Sequence, residues 1–150
     1  MEKVIVIAGP TASGKTALAV ELAKRINGEV ISCDSMQIYK DMSIGTAKPT
    51  VEEMDGVPHY LIDFISPDER YSVADFKRDA EEKIEYVLNK GKVPILCGGT
   101  GLYIDTLVFG IDYPEIELDQ EYRDELMKRA ESEEGLKKLY DEAKKIDSEA

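Results

Sequence analysis

Val4-Ile5-Val6-Ile7-Ala8-Gly9-Pro10-Thr11-Ala12-Ser13-Gly14-Lys15-Thr16 decides how the chain folds. Five apolar residues in a row, 4–8, predict a parallel strand buried on both faces. The eight residues that follow satisfy G-x-x-x-x-G-K-[ST] at every fixed position. A helical pattern then opens at Lys15 and places Leu18, Leu22 and Ile26 on one stripe as far as Asn27-Gly28, which stops it. Strand, glycine loop and helix in that order are the context that makes the motif meaningful. Its glycines let backbone amides curl around a phosphate, and the helix N-terminus adds positive potential. Lys15 supplies a mobile cation to the terminal phosphates, and the Thr16 hydroxyl can ligate Mg²⁺. Gly9, Pro10, Thr11, Ala12, Ser13, Gly14, Lys15 and Thr16 are therefore the expected diphosphate- or nucleotide-binding residues.

Working outward, residues 29–33 read as a second strand ending at Asp34. Residues 35–57 read as an irregular loop with one helical turn near Gln37, and residues 58–64 as a further short strand. A helix is predicted over Val73–Asn89, capped by Ser72 with Asp75 at its third position. Residues 93–97 form another strand, and Gly98-Gly99-Thr100-Gly101 a second glycine loop before a helix over 102–109. Strand–loop–helix units recurring in this way predict an α/β, P-loop NTPase-like three-layer fold with a parallel sheet. Beyond residue 110 the texture changes to two charged amphipathic helices, 118–130 and 135–146. The expected organisation is a P-loop-containing α/β core at 1–110 and a small helical inserted module at 111–150.

Asp34 stands at the carboxyl end of a strand, the edge where open α/β sheets place ligands. Three readings stay open for it: a Mg²⁺ ligand through water, a general base, or a loop Asp capping the turn after it. The glycines at 98–101 imply either close backbone approach or a tight turn, and Thr100 could cap the next helix. The loops after the first, second and fourth strands should lie side by side. Lys48, in Ile44-Gly45-Thr46-Ala47-Lys48-Pro49, is read as a solvated surface side chain, although Gly45 and Pro49 mark a shaped loop.

Composition bounds the remaining classes. Apolar residues make up 43% and charged residues 33% of 150, a globular and not a disordered balance. No apolar run approaches the roughly 20 residues of a membrane span, and the N-terminus lacks the pattern of a signal peptide; a cytoplasmic location with no membrane partner is expected. The net charge of −12 argues by itself against nucleic acid, but acidic residues outnumber basic ones about two to one after residue 110, so the total says little about the site. Cys33 and Cys97 fall in no metal or redox spacing and are expected to be small buried hydrophobes. His59, the single histidine, is taken as structural.

Five blocks together resemble the signature segments of the tRNA dimethylallyltransferase family: residues 9–16, Asp34-Ser35-Met36-Gln37-Ile38-Tyr39, residues 44–49, Tyr71-Ser72-Val73-Ala74-Asp75-Phe76 and Gly98-Gly99-Thr100-Gly101-Leu102-Tyr103. The resemblance spans about residues 4–109 in that family's order, with the helical part resembling its inserted domain more weakly. It implies that the exocyclic amine of an adenine beside the anticodon attacks dimethylallyl diphosphate and diphosphate leaves, so that tRNA and the prenyl diphosphate are partners and Mg²⁺ the cofactor. By the same resemblance Asp34 is the general base and Thr11 the residue near the donor's bridging oxygen. Asp34, Ser35, Met36, Gln37, Thr100 and Arg123 match positions that contact tRNA. The adenine would leave its stack to reach the donor. The family is about twice this length, so this part would bind a diphosphate without completing the reaction, and a monomer is expected. The competing enzyme class is a P-loop small-molecule or nucleotide kinase, disfavoured by the scarcity of arginine for a lid. A nucleotide switch would need a base-specificity element such as N-K-x-D, which is absent. A prenyl transferase using free adenine nucleotides is a third alternative.

Overall fold

The computed structural model of the chain describes residues 3–113 and 119–148. The chain divides into two compact units, Met1–Tyr113 and Pro114–Ala150. The first unit holds β1 (Ile5–Ala8), α1 (Lys15–Ile26), β2 (Gly28–Ser32), α2 (Val51–Met54), β3 (His59–Tyr60), α3 (Val73–Asn89), β4 (Val93–Gly98) and α4 (Gly101–Phe109). The second holds α5 (Gln120–Ala130) and α6 (Glu133–Ile146). The expected start of the first of these helices at residue 118 lies outside the described residues.

All strand pairs are parallel, in the order β1-β4-β2-β3. Successive side chains of a strand point to opposite faces, and that alternation creates two cores. Val30 and Ile95 face one way, into a cluster with Ala19, Val20 and Ala23 of α1. Ile31 and Leu96 face the other, into a cluster with Phe76 and Ala80 of α3 and Tyr103 and Ile104 of α4. In the second core the rings of Phe76 and Tyr103 stack with centroids 3.8 Å apart. Cys33 and Cys97 are buried in these cores as small apolar side chains. The result is a three-layer α/β sandwich.

Three expectations need correction. β1 is not buried on both faces: it is an edge strand, and Val4 and Val6 stay about two-fifths exposed. The helix stripe of α1 is not centred on Leu18, which is 54% exposed; the smaller Ala19, Val20 and Ala23 let the helix lie close to the sheet, flanked by Leu22 and Ile26. The strand expected over 58–64 is only two residues long, because Leu61 and Asp63 adopt left-handed backbone with φ of 58° and 60°.

Elsewhere local chemistry sets the boundaries. α1 ends where Asn27 turns left-handed. α3 begins with a reciprocal cap: the Asp75 amide donates to Ser72 Oγ (3.2 Å), and the Ser72 amide donates to Asp75 Oδ2 (3.0 Å). Gly98 is required because β2 and β4 converge there. A Cβ at that position would stand 2.1 Å from the Cys33 carbonyl oxygen. At the opposite, amino-terminal end of the sheet, the fully buried Glu29 accepts hydrogen bonds from Lys90 (2.6 and 2.7 Å), Lys92 (2.6 Å) and the Tyr60 hydroxyl (2.7 Å). Within the second unit, Arg129 of α5 binds both carboxylate oxygens of Glu142 on α6 at 2.7 Å.

Candidate phosphate-binding active site

The residues of the first glycine loop take the backbone that an anion cradle needs. Ala12 and Gly14 are left-handed, with φ of 62° and 84°, and Gly14 caps α1 without any side-chain acceptor. The first-turn amides of α1 are thus left to point into the loop, and the first turn carries no acidic residue. A left-handed non-glycine residue such as Ala12 costs about 1 kcal/mol or more and persists where the surroundings enforce it. Ser13 Oγ donates to the Pro10 carbonyl at 2.8 Å and Lys15 Nζ to the same oxygen at 2.5 Å. The lysine ammonium is held over its own loop.

A cavity of about 410 Å³ opens on this loop. Thr11 to Thr16 form one wall; Ser32, Asp34, Cys97 and Gly98 line it from the carboxyl ends of β2 and β4; Gln37, Ala47, Lys48 and Pro49 line it from the long loop after β2. The loops after β1, β2 and β4 therefore do meet. Gly9 and Pro10 precede this wall and do not line the cavity.

Asp34 uses one oxygen locally: Oδ1 accepts from the amides of Met36 (2.9 Å) and Gln37 (3.4 Å). Its Oδ2 has no hydrogen-bond partner among the described residues. The turn-capping reading and a chemical role are thus compatible, one for each oxygen. Thr100 occupies the N-cap position of α4 but does not cap it with its side chain. Its hydroxyl instead accepts from the Ser35 amide at 3.0 Å and donates to Ser35 Oγ at 3.3 Å, tying the two glycine-adjacent loops together. Gln37 is similarly committed: its Nε2 donates to the carbonyls of Thr46 (3.3 Å) and Ala47 (3.0 Å), and its Oε1 accepts from Ser32 Oγ (3.1 Å). Met36 is left 46% exposed beside them. Arg123 belongs to the second unit, where it is exposed on α5.

Lys48 and His59 also line the cavity. Lys48 is not a solvated side chain: only 6% of it is exposed, and its ammonium donates to the Tyr39 carbonyl (2.7 Å) and Asp63 Oδ1 (2.6 Å). The signal was present in its flanking Gly45 and Pro49. His59 lines the cavity from β3. Burial lowers its pKa, a Nδ1 contact of 2.8 Å to the Val57 carbonyl opposes that, and Nε2 is buried without a partner among the described residues. Burial likewise pushes the Cys33 thiol up to about 12 and raises that of Cys97, so neither is a nucleophile at neutral pH.

No three His, Cys, Asp or Glu side chains come together as a metal cage among the described residues. The available donors, Thr16 beside the loop and Asp34 across the cavity, suit a cation carried mainly by phosphate oxygens and water, which is how Mg²⁺ is usually held.

A parallel sheet whose first strand runs through G-x-x-x-x-G-K-T into a helix, with an acidic side chain across the cavity, defines an α/β protein with helices on both faces of a parallel sheet. Comparison with known sequences narrows the class. The family profile described as IPP transferase matches residues 37–150, and the chain belongs to that family. It is 54% identical over 150 residues to a tRNA dimethylallyltransferase of Acetivibrio thermocellus, covering 100% of this chain and 48% of that protein. It is 62% identical over 109 residues to one from Staphylococcus aureus, covering 73% and 35%. Among solved structures, the full-length tRNA isopentenylpyrophosphate transferase of Bacillus halodurans matches with a TM-score of 0.75 and 51% identity, over 99% of this chain and 48% of that one. A eukaryotic dimethylallyltransferase acting on tRNA matches with a TM-score of 0.74 and 38% identity, over 89% and 33%. The chain spans about half the length of the first curated relatives it matches.

Proposed function

We propose that this chain is the donor-binding half of an enzyme that transfers a dimethylallyl group from dimethylallyl diphosphate to the exocyclic amine of the adenine adjacent to the anticodon in tRNA. The observation that carries the reading is one cavity lined by the glycine loop Thr11 to Thr16 on one side and Asp34 on the other. The names of the relatives support the same reaction over phosphoryl transfer.

In this reading the amides of residues 12–16 and the Lys15 ammonium bind the diphosphate. The adenine nitrogen forms a bond to the first carbon of the donor as the carbon–oxygen bond breaks. Diphosphate leaves with the bonding pair, and Asp34 accepts the proton released from the amine. Thr11 lies beside the breaking bond. Thr16 would hold Mg²⁺, which when bound would add charge neutralisation to the leaving diphosphate. Met36 and Ser35 meet the RNA directly, and Arg123 contacts it from the helical unit. Gln37 and Thr100 contribute by holding the loop that presents Asp34. The flipped adenine enters against this loop.

The test uses the full-length protein, dimethylallyl diphosphate and an anticodon stem-loop RNA. Asp34→Asn should keep donor affinity and lose about 10²–10⁴-fold in single-turnover rate, the usual range for a missing general base. Near-wild-type prenylation by that variant would end the assignment of Asp34.

A further inference from the structure

We propose that Lys48 is a positioning residue for Asp34. The proposal rests on the reading that Asp34 takes the proton in the reaction. A nearly buried ammonium in a loop is costly unless it is paired and hydrogen-bonded. The Lys48 side chain is only 6% exposed, and its partners lie on two separate segments, the Tyr39 carbonyl and the Asp63 carboxylate.

From Asp63 the connection continues to the cavity through single hydrogen bonds. Asp63 accepts from Lys48 Nζ at 2.6 Å, and its own amide donates to the Gln37 carbonyl at 3.0 Å. The Gln37 amide in turn donates to Asp34 Oδ1 at 3.4 Å. A second route runs back from the lysine's own segment, since the carbonyl of Ala47, the residue before Lys48, accepts from Gln37 Nε2 at 3.0 Å. Lys48 and Gln37 therefore close a ring of contacts around the segment that begins at Asp34.

The backbone around this ring is strained. Ala47 and Asp63 both lie in the left-handed region, with φ of 50° and 60°, as does Asp41 within the loop at 60°. Such residues relax unless side-chain contacts hold them. The hydrogen bond from Lys48 also holds the Asp63 carboxyl below the usual carboxylate range, consistent with a pair that persists at neutral pH. Loss of the ammonium releases Asp63, then the Gln37 backbone, and with it one of the two amides that orient Asp34, leaving only that of Met36 at 2.9 Å. A shift of an ångström in a reacting group can cost about a hundredfold in rate.

Lys48→Met keeps the stem and removes the charge; Asp63→Asn weakens the same link more gently and carries the test if the methionine variant does not fold. Each is made in full-length protein, alone and in an Asp34→Asn background. Single-turnover prenylation of an anticodon stem-loop RNA is measured beside dimethylallyl diphosphate affinity by calorimetry. Expected are rate losses of about tenfold to a hundredfold with donor affinity within about threefold, and no further loss when Asp34 is already Asn. A wild-type rate in both variants, a matching fall in donor affinity, or an equal further loss in the Asp34→Asn background overturns the proposal. Failure of the underlying reading is seen separately, as full turnover by Asp34→Asn with Lys48 untouched.

Discussion

Replacing Glu29 by Gln tests whether the charged cluster at the amino-terminal end of the sheet holds the fold. Glu29 is fully buried, and burial alone would push its carboxyl up; hydrogen bonds from Lys90, Lys92 and Tyr60 outweigh this and hold its pKa down at about 2, against an ordinary value of 4.5. A difference of about 2.5 units corresponds to about 3 kcal/mol of linkage at neutral pH. The two lysine side chains are 33% and 29% exposed, so water screens part of the interaction and rehydrates them when the partner is lost. A loss of about 2 kcal/mol is the better expectation, with a fall in Tm on the order of 10 °C. Because the folded pKa is depressed, the stabilisation is present above about pH 4.5 and disappears as pH falls toward about 2. The stability difference between wild type and Glu29→Gln, measured by denaturant titration at a series of pH values, should be constant from pH 7 to 5. It should then shrink between about 4.5 and 2. A variant as stable as wild type at pH 7, or a difference that does not change with pH, refutes the reasoning. The cluster lies at the other end of β2 from Asp34, so donor affinity should stay unchanged.

Gly98→Ala should destabilise the first unit by about 1–3 kcal/mol or more, since its Cβ would stand 2.1 Å from the Cys33 carbonyl oxygen and backbone has little room to retreat; an unchanged denaturation midpoint would show that the strands can part. Ser72→Ala removes one half of the reciprocal cap on α3 and should cost about 1 kcal/mol in the same assay, with donor affinity intact.

The sequence carried most where chemistry is local. Lys15–Ile26 and Val73–Asn89 were legible to the residue, the first from its loop and its Asn-Gly stop, the second from Ser72 and Asp75. The short α2 was legible too, in Thr50 and Glu53, which form a capping box that the irregular reading of 35–57 passed over. Where packing decides, the reading failed. Leu18 fits a helical stripe but stays exposed, because the sheet accepts the small residues of α1. The strand after the long loop, β3, is cut short by left-handed Leu61, a conformation no side chain of leucine announces. The site was half visible. The glycine loop at residues 9–16 is one contiguous segment, so its pattern can be read directly. Lys48 against Asp63, Thr100 against Ser35, and Gln37 against Ala47 depend on which loops the fold brings together. Nothing in the type of residue alone assigns those partners.

In the proposed reaction the loop at residues 9–16 holds the diphosphate of a prenyl donor. Calorimetric titration of the protein with dimethylallyl diphosphate in the presence of Mg²⁺, with ATP as competitor and Lys15→Ala as control, tests it most directly. Saturable donor binding is expected, displaced poorly by ATP and weakened at least tenfold by Lys15→Ala through loss of a charge-assisted contact. Preferential binding of ATP, or donor binding indifferent to Lys15, would contradict it.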